Sequence, residues 1–407
     1  MRSENKTYWI VIIAALGYFV DIYDLILYNV VKEDSLKAIG IVGKAYSDYE
    51  ITMFNWQMIG MLIGGLLWGI LGDKKGRVSV LFGSILLYSL ANIFNGLVSN
   101  INEYIICRFI AGVGLAGELG AGITLVSETM HKDKRGIGTM IIVSFGALGA
   151  VAASLIGKNF HWSTAYFIGG GLGLALLALR AGAFESGMYK SLTQNTTVSK
   201  GNIFMLFSNR KRAFLYLKSI LIGIPIWFMI GVLINLSPRF VHIQGIETKA
   251  MVGQAVMFSY IGLSVGDLIC GVLSQLLKSR KKVIYLYLFL SVCFVAYYLT
   301  TTITEIDHFR WVCFLLGAGT GYWALFVQVA SENFGTNIRS TVTNTVPNFV
   351  RGAVVPITLS FKTLATTFKS PHIAALVVGG VCLSLALIAL IFMNETFSKD
   401  LNYHELD

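Results

Sequence analysis

Twelve long apolar runs alternate with short polar or charged stretches along the chain. Each run holds about 20 residues, enough for an α-helix to cross the roughly 30 Å apolar interior of a bilayer. Together they take up most of the 407 residues, so little remains for a soluble domain. We predict spans at 8–31, 47–71, 78–98, 103–128, 137–157, 161–181, 213–235, 250–277, 283–303, 308–331, 339–362 and 371–393.

The longest polar stretch, 182–212, lies between the sixth and seventh predicted spans. It is rich in Ser, Asn and Thr and ends on the basic run 210–212. We therefore predict a cytoplasmic linker between two six-helix bundles, 1–181 and 213–407, the second with a short cytoplasmic tail. The predicted fold class is an all-α membrane protein with twelve transmembrane helices in two pseudo-symmetric bundles.

The composition also indicates a membrane protein. Apolar residues make up 55% of the chain and charged residues only 13%, and the mean hydropathy is +0.68. A soluble protein needs a far more charged surface. The net charge of +10 does not indicate nucleic-acid binding, because Lys and Arg occur in short clusters between apolar runs. By the positive-inside rule these clusters place both termini in the cytoplasm, and we expect a cell inner membrane.

The sequence predicts no metal site, no disulfide and no enzymatic centre. The five cysteines lie inside apolar runs without paired spacing, and the six histidines lie at span ends or in loops. We therefore expect no cofactor.

Two loop motifs recur in the second half of the chain. Glu128 is followed seven residues later by Arg135, and 204 residues further on Glu332 is followed at the same spacing by Arg339. The segment GILGDKKGR between spans 2 and 3 has a degraded counterpart, GVLSQLLKSR, between spans 8 and 9 at an offset of 203. Two matches at nearly one offset indicate a six-plus-six duplication.

The segment GILGDKKGR, Gly69–Arg77, resembles the signature loop of the major facilitator superfamily. Gly69 and Gly72 allow close helix packing, and Asp73 can accept hydrogen bonds from a helix N-terminus. Together with the twelve spans and the internal repeat, this resemblance covers nearly the whole chain. It implies a transporter whose two halves rock around a central site.

Two further segments resemble one part of that superfamily. Span 1 contains GYFVDIYDL, with Asp21 and Asp24, and span 4 contains RFIAGVGLAGE, from Arg108 to Glu118. These segments are similar to the first and fourth helices of the metabolite (organic acid)/proton and phosphate/proton symporters. The resemblance implies transport of a small solute together with protons.

Ionisable residues inside a membrane cost several kcal/mol unless they are paired or hydrated, and are therefore functional candidates. Asp21 and Asp24 are three residues apart and share a helix face. Asp21, Glu118 and Arg351 lie about 15 to 20 Å from the cytoplasmic ends of their helices, near the midplane. Several acids in one low-dielectric cavity cannot all stay ionised, so Asp21, Asp24 and Glu118 are our proton-coupling candidates.

The two arginines are candidates for substrate binding. Arg351 offers a planar fork to a carboxylate or a phosphate, and Arg108 can hold one of the acids ionised. Structural alternatives stay open: a static bridge between Asp24 and Arg108, a purely hydrogen-bonding Glu118, and an Arg351 that only satisfies carbonyls freed at a kink. From the second half, Tyr322 and Gln328 are further substrate-binding candidates, among aromatic and polar residues that also include Trp227, Trp323 and Asn348.

The remaining charged residues near the span ends are expected to latch the cytoplasmic face. Asp73 and Arg77 belong to the signature loop, Glu128 can pair with Arg135 or Arg180, and the second half repeats the pattern. Asp267 is expected to pair structurally with Lys278 or Arg280. The predicted latch residues are Asp73, Arg77, Glu128, Arg135, Arg180, Glu332 and Arg339.

The leading hypothesis is a proton-coupled symporter of a small anionic metabolite, an organic acid or phosphate, working by alternating access. Its expected partners are the solute, protons and the lipid bilayer, with no nucleic acid, and we expect a monomer. A porter of sugar or another neutral solute is the main alternative. An antiporter or exporter is also kept, with Gly146 and Gly149 in span 5, as is a membrane protein that does not transport.

Overall fold

The computed structural model describes residues 2–130, 135–185, 204–335 and 337–399. Within these ranges the regular structure is entirely helical. The α-helices are α1 Arg2–Ala38, α2 Lys44–Lys75, α3 Arg77–Asn95, α4 Ile101–Leu115, α5 Glu118–Thr129, α6 Arg135–Asn159, α7 Trp162–Glu185, α8 Met205–Ser208, α9 Arg210–Phe228, α10 Thr248–Leu276, α11 Arg280–Thr300, α12 Ile306–Gly319, α13 Trp323–Glu332, α14 Arg339–Gly352, α15 Val354–Phe368 and α16 Pro371–Ile391. We refer to α1–α7 as the N-terminal half and to α8–α16 as the C-terminal half.

Eleven stretches of the described chain are long and apolar enough to cross a membrane. They correspond to eleven of the twelve predicted spans. The stretch predicted at 339–362 is instead divided into α14 and α15, which meet at Ala353 and are each too short to count alone. The first of them is polar and buried, because its Thr, Asn and Arg side chains face other helices and not lipid.

Two other spans contain breaks at equivalent places. The fourth span changes from α4 to α5 before Glu118, and the tenth changes from α12 to α13 at Tyr322. Glycines surround both breaks, where closely packed backbones leave no room for larger side chains. The two positions are 204 residues apart, the offset at which the loop motifs recur in the sequence.

The two halves meet along equivalent pairs of helices. In the N-terminal half α1 packs on α6, and α2 on α4; across the interface α2 packs on α14, and α6 on α10. Large apolar side chains cover the outside, among them Trp311 and Phe392, both more than half exposed. Such a surface is matched to lipid. The buried charged groups therefore concentrate at the centre and along the interface between the halves.

A π-helical segment, Met229–Ile234, continues α9. It begins four residues after Pro225, which lies inside α9 and cannot donate a backbone hydrogen bond. π-helical turns are uncommon and often mark functional positions. This one begins two residues after Trp227, a residue of the central site described below.

The segment after α16 folds back onto the start of α11. The Glu395 carboxylate accepts hydrogen bonds from Ser279 Oγ and from the backbone N–H of Arg280, at 2.8 Å, and of Lys281, at 3.3 Å. The Arg280 guanidinium lies over the Phe397 ring, 4.9 Å from its centre. The C-terminal segment thus caps a helix N-terminus with a negative charge.

Candidate functional site

Asp21 and Arg351 face each other at the centre of the molecule, one from each half. Asp21 is on α1 and Arg351 is one residue from the end of α14. The Asp21 Oδ2 atom lies 3.8 Å from Arg351 Nη2, and both side chains are fully buried. This distance is longer than a carboxylate–guanidinium hydrogen bond, so the contact is an ion pair without a hydrogen bond.

Tyr18, one helical turn before Asp21, joins the same cluster. Its hydroxyl accepts a hydrogen bond from Trp323 Nε1 at 3.0 Å and from Arg351 Nη2 at 3.4 Å. The ring lies against Gly146 of α6, where a Cβ atom would overlap it. A glycine at position 146 therefore makes room for Tyr18 beneath the arginine. Tyr18 was not among the residues predicted from the sequence, although it shares a helix face with Asp21.

Two indole rings flank the Arg351 guanidinium. Its Cζ atom lies 5.6 Å from the centre of the Trp323 ring and 5.9 Å from that of Trp227. The two rings contact each other edge to face, with centres 6.3 Å apart. Arg351 Nη1 also donates to Asn348 Oδ1 at 3.3 Å. The cation is thus held by cation–π contacts and by two neutral hydrogen-bond partners, Asn348 and Tyr18.

Several buried polar atoms in this cluster have no hydrogen-bond partner among the described residues. They are both carboxylate oxygens of Asp21, Nε of Arg351 and Nε1 of Trp227. Buried polar groups are nearly always hydrogen-bonded, so unpaired donors and acceptors at one place need an explanation. A bound acceptor would satisfy the two N–H donors, and a proton on Asp21 would remove its unpaired charge.

Asp24 lies one turn after Asp21 on α1, and Arg108 lies on α4 of the same half. Arg108 donates to Gln57 Oε1, and its Cζ lies 5.4 Å from the centre of the Tyr28 ring and 5.8 Å from that of Tyr166. Within the described structure Asp24 forms no ion pair within 4 Å, although Arg108 acts on it electrostatically and the Asn92 side chain lies close to it. A direct static bridge between Asp24 and Arg108 is therefore not formed.

Glu118 and Arg180 form a fully buried bidentate ion pair. One guanidinium nitrogen lies 3.0 Å from Glu118 Oε2 and the other contacts Oε1. Arg180 also donates to the backbone carbonyls of Leu81, at 3.1 Å, and Ile13, at 3.4 Å. Arg180 therefore connects α7 with α5, α3 and α1. The sequence predicts Arg180 at the rim and Glu128 as a partner for Arg180 or Arg135. The structure shows that Arg180 reaches inside to Glu118, and the Glu128 side chain lies outside the described residues.

Asp73 bonds across the interface at one face of the molecule. Its carboxylate accepts hydrogen bonds from the backbone N–H groups of Ser340, at 3.2 Å, and Thr341, at 2.8 Å, and from Thr341 Oγ1 at 2.6 Å. These groups begin α14, so a carboxylate on α2 caps a helix of the other half. At Gly69 a Cβ would lie 3.0 Å from Thr341 Cα, so glycine permits this approach. We call this end of the molecule the Asp73 face.

A second set of bonds at the same face lies within the C-terminal half. Glu332 pairs with Arg280 at 3.4 Å and accepts a hydrogen bond from Gln328 Nε2 at 2.7 Å. Arg339, its expected partner, donates to the backbone carbonyl of Phe334 at 3.2 Å. The predicted latch residues Arg77, Glu128 and Arg135 have side chains that lie outside the described residues.

The opposite end of the interface is closed by residues that the sequence analysis missed. The Glu50 carboxylate forms ion pairs with Lys32 Nζ at 3.2 Å and with Arg239 Nη2 at 2.6 Å. Lys32 also donates a hydrogen bond to the backbone carbonyl of Asn235 at 3.2 Å. Lys32 and Glu50 belong to the N-terminal half, and Asn235 and Arg239 to the C-terminal half. We call this end the Lys32 face.

Three more polar contacts join the halves at the Lys32 face. They connect α1 and α2 with α10 and α15, and they add two ion pairs and one hydrogen bond. The pairs are Lys249 with Asp34, Lys362 with Asp48 at 2.7 Å, and Thr358 with Asn55 at 3.1 Å. Polar contacts between the halves therefore close both ends of the interface, and the central cluster lies enclosed between them.

The sequence profile of a known protein family settles the identity of this fold. The profile described as Major Facilitator Superfamily matches residues 14–355. The chain belongs to this superfamily. The resemblance stated from the signature loop is thus confirmed, and the major facilitator fold together with it; the family and its relatives are transporters and not enzymes.

Named relatives and a solved structure agree with this assignment. The chain is 24% identical to the niacin transporter NiaP of Acinetobacter baylyi, over 84% of each chain. It is 25% identical to the 3-(3-hydroxy-phenyl)propionate transporter of Escherichia coli, over 81% of each chain. The structure of the superfamily's proton:xylose symporter XylE, bound to 6-bromo-6-deoxy-D-glucose, superimposes with a TM-score of 0.75 over 98% of both chains at 15% identity. At that identity the likeness shows the fold alone.

Three residues considered in the sequence form hydrogen bonds to groups outside the central cluster of this major facilitator protein. The Tyr322 hydroxyl donates to the backbone carbonyl of Ile222 at 2.9 Å, and Gln328 bonds Glu332 near the Asp73 face. The prediction that Asp267 pairs with Lys278 or Arg280 is wrong. Asp267 accepts a hydrogen bond from the backbone N–H of Ala324 at 3.0 Å, because the break before α13 exposes an unpaired N–H there.

Proposed function

We propose that this chain is a proton-coupled symporter of a small organic anion. The observation that carries the proposal is the ion pair between Asp21 and Arg351, which crosses the interface at the centre of the molecule. Arg351 is the cation that a solute anion would bind. Asp21 is the group that loses its cation when the anion binds Arg351.

The proposed coupling follows from the cost of an unpaired charge in the membrane interior. An anion that binds Arg351 takes the place of Asp21, and the carboxylate left without a cation is then stabilised by binding a proton. Solute and proton therefore bind together and leave together. After both have left, Asp21 returns to Arg351, so the empty protein can reorient without a net change at the site.

The three acids predicted as proton-coupling candidates then take different roles. Asp21 is proposed as the exchanging group, and Asp24, one turn away and without a direct ion pair, as a second proton site on the same helix. Glu118 is proposed as structural, because a bidentate pair with Arg180 holds it. The roles of Arg108 and Gln57 are to keep a positive charge near Asp24.

Alternating access is proposed to use the two closed ends of the interface. Breaking the Asp73 contacts opens a path at one face, and breaking the Glu50 contacts opens the other. We propose that the Asp73 face is cytoplasmic and that the protein lies in the cell inner membrane, because basic residues are more numerous at that side. The relatives named for niacin and for 3-(3-hydroxy-phenyl)propionate transport small solutes by their names, which supports a small organic solute here.

The test is uptake of labelled solutes into proteoliposomes that contain the purified full chain, with and without an inward proton gradient. A panel of organic acids, inorganic phosphate and hexoses covers the alternatives. The proposal expects accumulation of at least one organic acid, driven by the gradient and abolished by a protonophore. Gradient-independent equilibration of all solutes would contradict the coupling, and accumulation of hexoses alone would support the neutral-solute porter instead.

A further inference from the structure

Some hydrogen-bond donors around Arg351 already have an acceptor in the structure, and others have none. The Trp323 indole N–H donates to the Tyr18 hydroxyl, and two nitrogens of Arg351 bond Tyr18 and Asn348. The Trp227 indole N–H and the Arg351 Nε have no partner among the described residues, and Trp227 is 2% exposed. Two unused donors thus belong to side chains that are in contact, the guanidinium lying over the Trp227 ring.

The walls of this place are aromatic. Trp227 and Trp323 contact each other edge to face, and Phe326 adds a third ring with its centre 5.4 Å from that of Trp323. Aromatic rings favour another planar ring as a neighbour, in stacked or edge-to-face geometry, beyond what burial of area alone gives. Aliphatic chains gain no such preference. The surroundings of Arg351 therefore favour a flat unsaturated solute.

The charge at the site limits the ionic class. Within the described structure Arg351 is the cation that pairs with Asp21, and Arg180 pairs with Glu118. One guanidinium balances one negative charge, so a dianion such as hydrogen phosphate would remain partly unpaired in the membrane interior. A sugar would require several acceptors as well as donors. The unused acceptors here are the two Asp21 oxygens, and the proposed coupling protonates that carboxylate when the solute binds.

We infer that the solute is a planar aromatic monocarboxylate. Its carboxylate accepts hydrogen bonds from Arg351 Nε and the Trp227 indole N–H, and its ring packs against Trp227 and Trp323. The inference rests on the proposed function, because it names the solute class of the same central site. Trp227 is thereby a substrate-binding residue, and its N–H distinguishes it from Trp323, whose N–H is already bonded to Tyr18.

The inference is tested by binding to the purified full chain in detergent, measured by calorimetry or by thermal shift. The probes form matched pairs: benzoate against cyclohexanecarboxylate, and 3-phenylpropanoate against 3-cyclohexylpropanoate. Each pair keeps the charge and nearly the size while it removes the planar ring. Benzamide removes the charge and keeps the ring, and inorganic phosphate changes the ionic class. At least one aromatic acid should bind about tenfold more tightly than its saturated partner.

Two tryptophan variants with one control locate the contact. Trp227→Phe keeps a ring and removes the unused N–H. The affinity for the aromatic acid should therefore fall by about tenfold, the effect of losing one hydrogen bond to a charged group. Trp323→Phe removes an N–H that the empty protein already uses, and should weaken binding less. Trp311→Phe, at a site 65% exposed on the outer surface, should leave binding unchanged and reports any general effect of tryptophan loss.

The outcomes separate this inference from the proposed function. Equal affinity for saturated and aromatic acids, tighter binding of phosphate, no binding of either aromatic acid, or equal effects of the Trp227 and Trp323 substitutions would overturn the aromatic class. Proton-driven uptake of an aliphatic acid would do the same and leave the proposed function standing. Aromatic acids that bind in these patterns but are not accumulated with protons would refute the coupling and leave the binding site.

Discussion

The Asp21 carboxylate and the Arg351 guanidinium lie 3.8 Å apart across the interface between the two halves, close enough to attract and too far to share a hydrogen bond. A pair of this kind is less firmly held than the bidentate pair of Glu118 and Arg180. We therefore propose different tasks for the two pairs, exchange for the first and structure for the second.

Asp21→Asn removes the exchanging carboxylate and leaves a neutral side chain of the same shape. Proton-driven accumulation should disappear, so that the ratio of inside to outside solute returns to about 1, because an uncoupled transporter only equilibrates its solute. Solute exchange between loaded proteoliposomes and medium should continue. Asp307→Asn, at an exposed position on the surface, is the control. Accumulation that survives in Asp21→Asn would exclude Asp21 as the proton carrier.

Glu118→Gln should destabilise the protein, because it removes the carboxylate of a fully buried bidentate ion pair. Loss of one partner of a buried ion pair costs about 3 kcal/mol or more in the free energy of unfolding. The double variant Glu118→Leu with Arg180→Met removes both charges and should recover part of that loss. Thermal unfolding in detergent measures both. Normal stability together with lost proton coupling in Glu118→Gln would make Glu118 a proton carrier and not a structural residue.

Asp73→Asn should favour opening at the Asp73 face. The substitution replaces the charged acceptor of three hydrogen bonds from Ser340 and Thr341 by a neutral one. This should destabilise the closed interface by about 2 kcal/mol and raise the population open at this face about 30-fold. A cysteine at position 343, where Thr343 bonds Thr124 across the interface, reports opening through its reaction with a membrane-impermeant maleimide, once the five native cysteines are replaced. Lys74→Gln, an exposed neighbour, should not change the rate.

Glu50→Gln should have the opposite effect, at the Lys32 face. Glu50 pairs with both Lys32 and Arg239, so its loss leaves two cations on opposing halves that repel each other. A cysteine at position 358, in place of the Thr358 that bonds Asn55, should then react about tenfold faster from the Lys32 face, for a shift of about 1.4 kcal/mol. Glu33→Gln, whose partner Lys37 lies on the same helix, is the control. Equal labelling in the two variants would contradict a gate at Glu50.

Glu395 makes a prediction about pH at the end of the chain. Burial raises the pKa of Glu395, but hydrogen bonds from Ser279 and from the N–H groups of Arg280 and Phe397 outweigh it and hold the pKa below its ordinary value. Its stabilising contribution is therefore present above the ordinary Glu pKa and is lost as pH falls through the lowered pKa. Glu395→Gln should lower the unfolding temperature at pH 7 by a few degrees. The difference from the unchanged protein should shrink below a pH of about 4, whereas the exposed Glu305→Gln should match the unchanged protein throughout.

The spans and the duplication could be read from the sequence because both leave a periodic trace. An apolar run of about 20 residues has few alternatives to a membrane helix, and the offset of 204 recurs between Glu118 and Tyr322 at the two helix breaks. The polar helix α14 is the exception, because its sequence contains no long apolar run. Its Thr and Asn side chains face α2 and α5 inside the protein, so hydropathy does not describe its surroundings.

The partners of the buried charges could not be read from the sequence. Arg180 was placed at the rim because it ends a span, yet its long side chain reaches Glu118 inside the membrane. Lys32 and Glu50 appeared as ordinary charges at span ends, and only the packing of α1 and α2 against Asn235 and Arg239 shows that they bridge the halves. Such pairings depend on helix rotation, which the order of residues along one chain leaves open.

The closure of both faces has a kinetic consequence. A solute cannot reach Arg351 until one set of contacts opens, so association should follow the opening step and not collisions alone. The observed rate should rise with solute concentration and then level off at the opening rate, and the apparent affinity should be weaker than the intrinsic one by the fraction of molecules that are open. Substitutions at Glu50 or Asp73 would then tighten binding without touching the solute, since they increase the number of protein molecules ready to receive it.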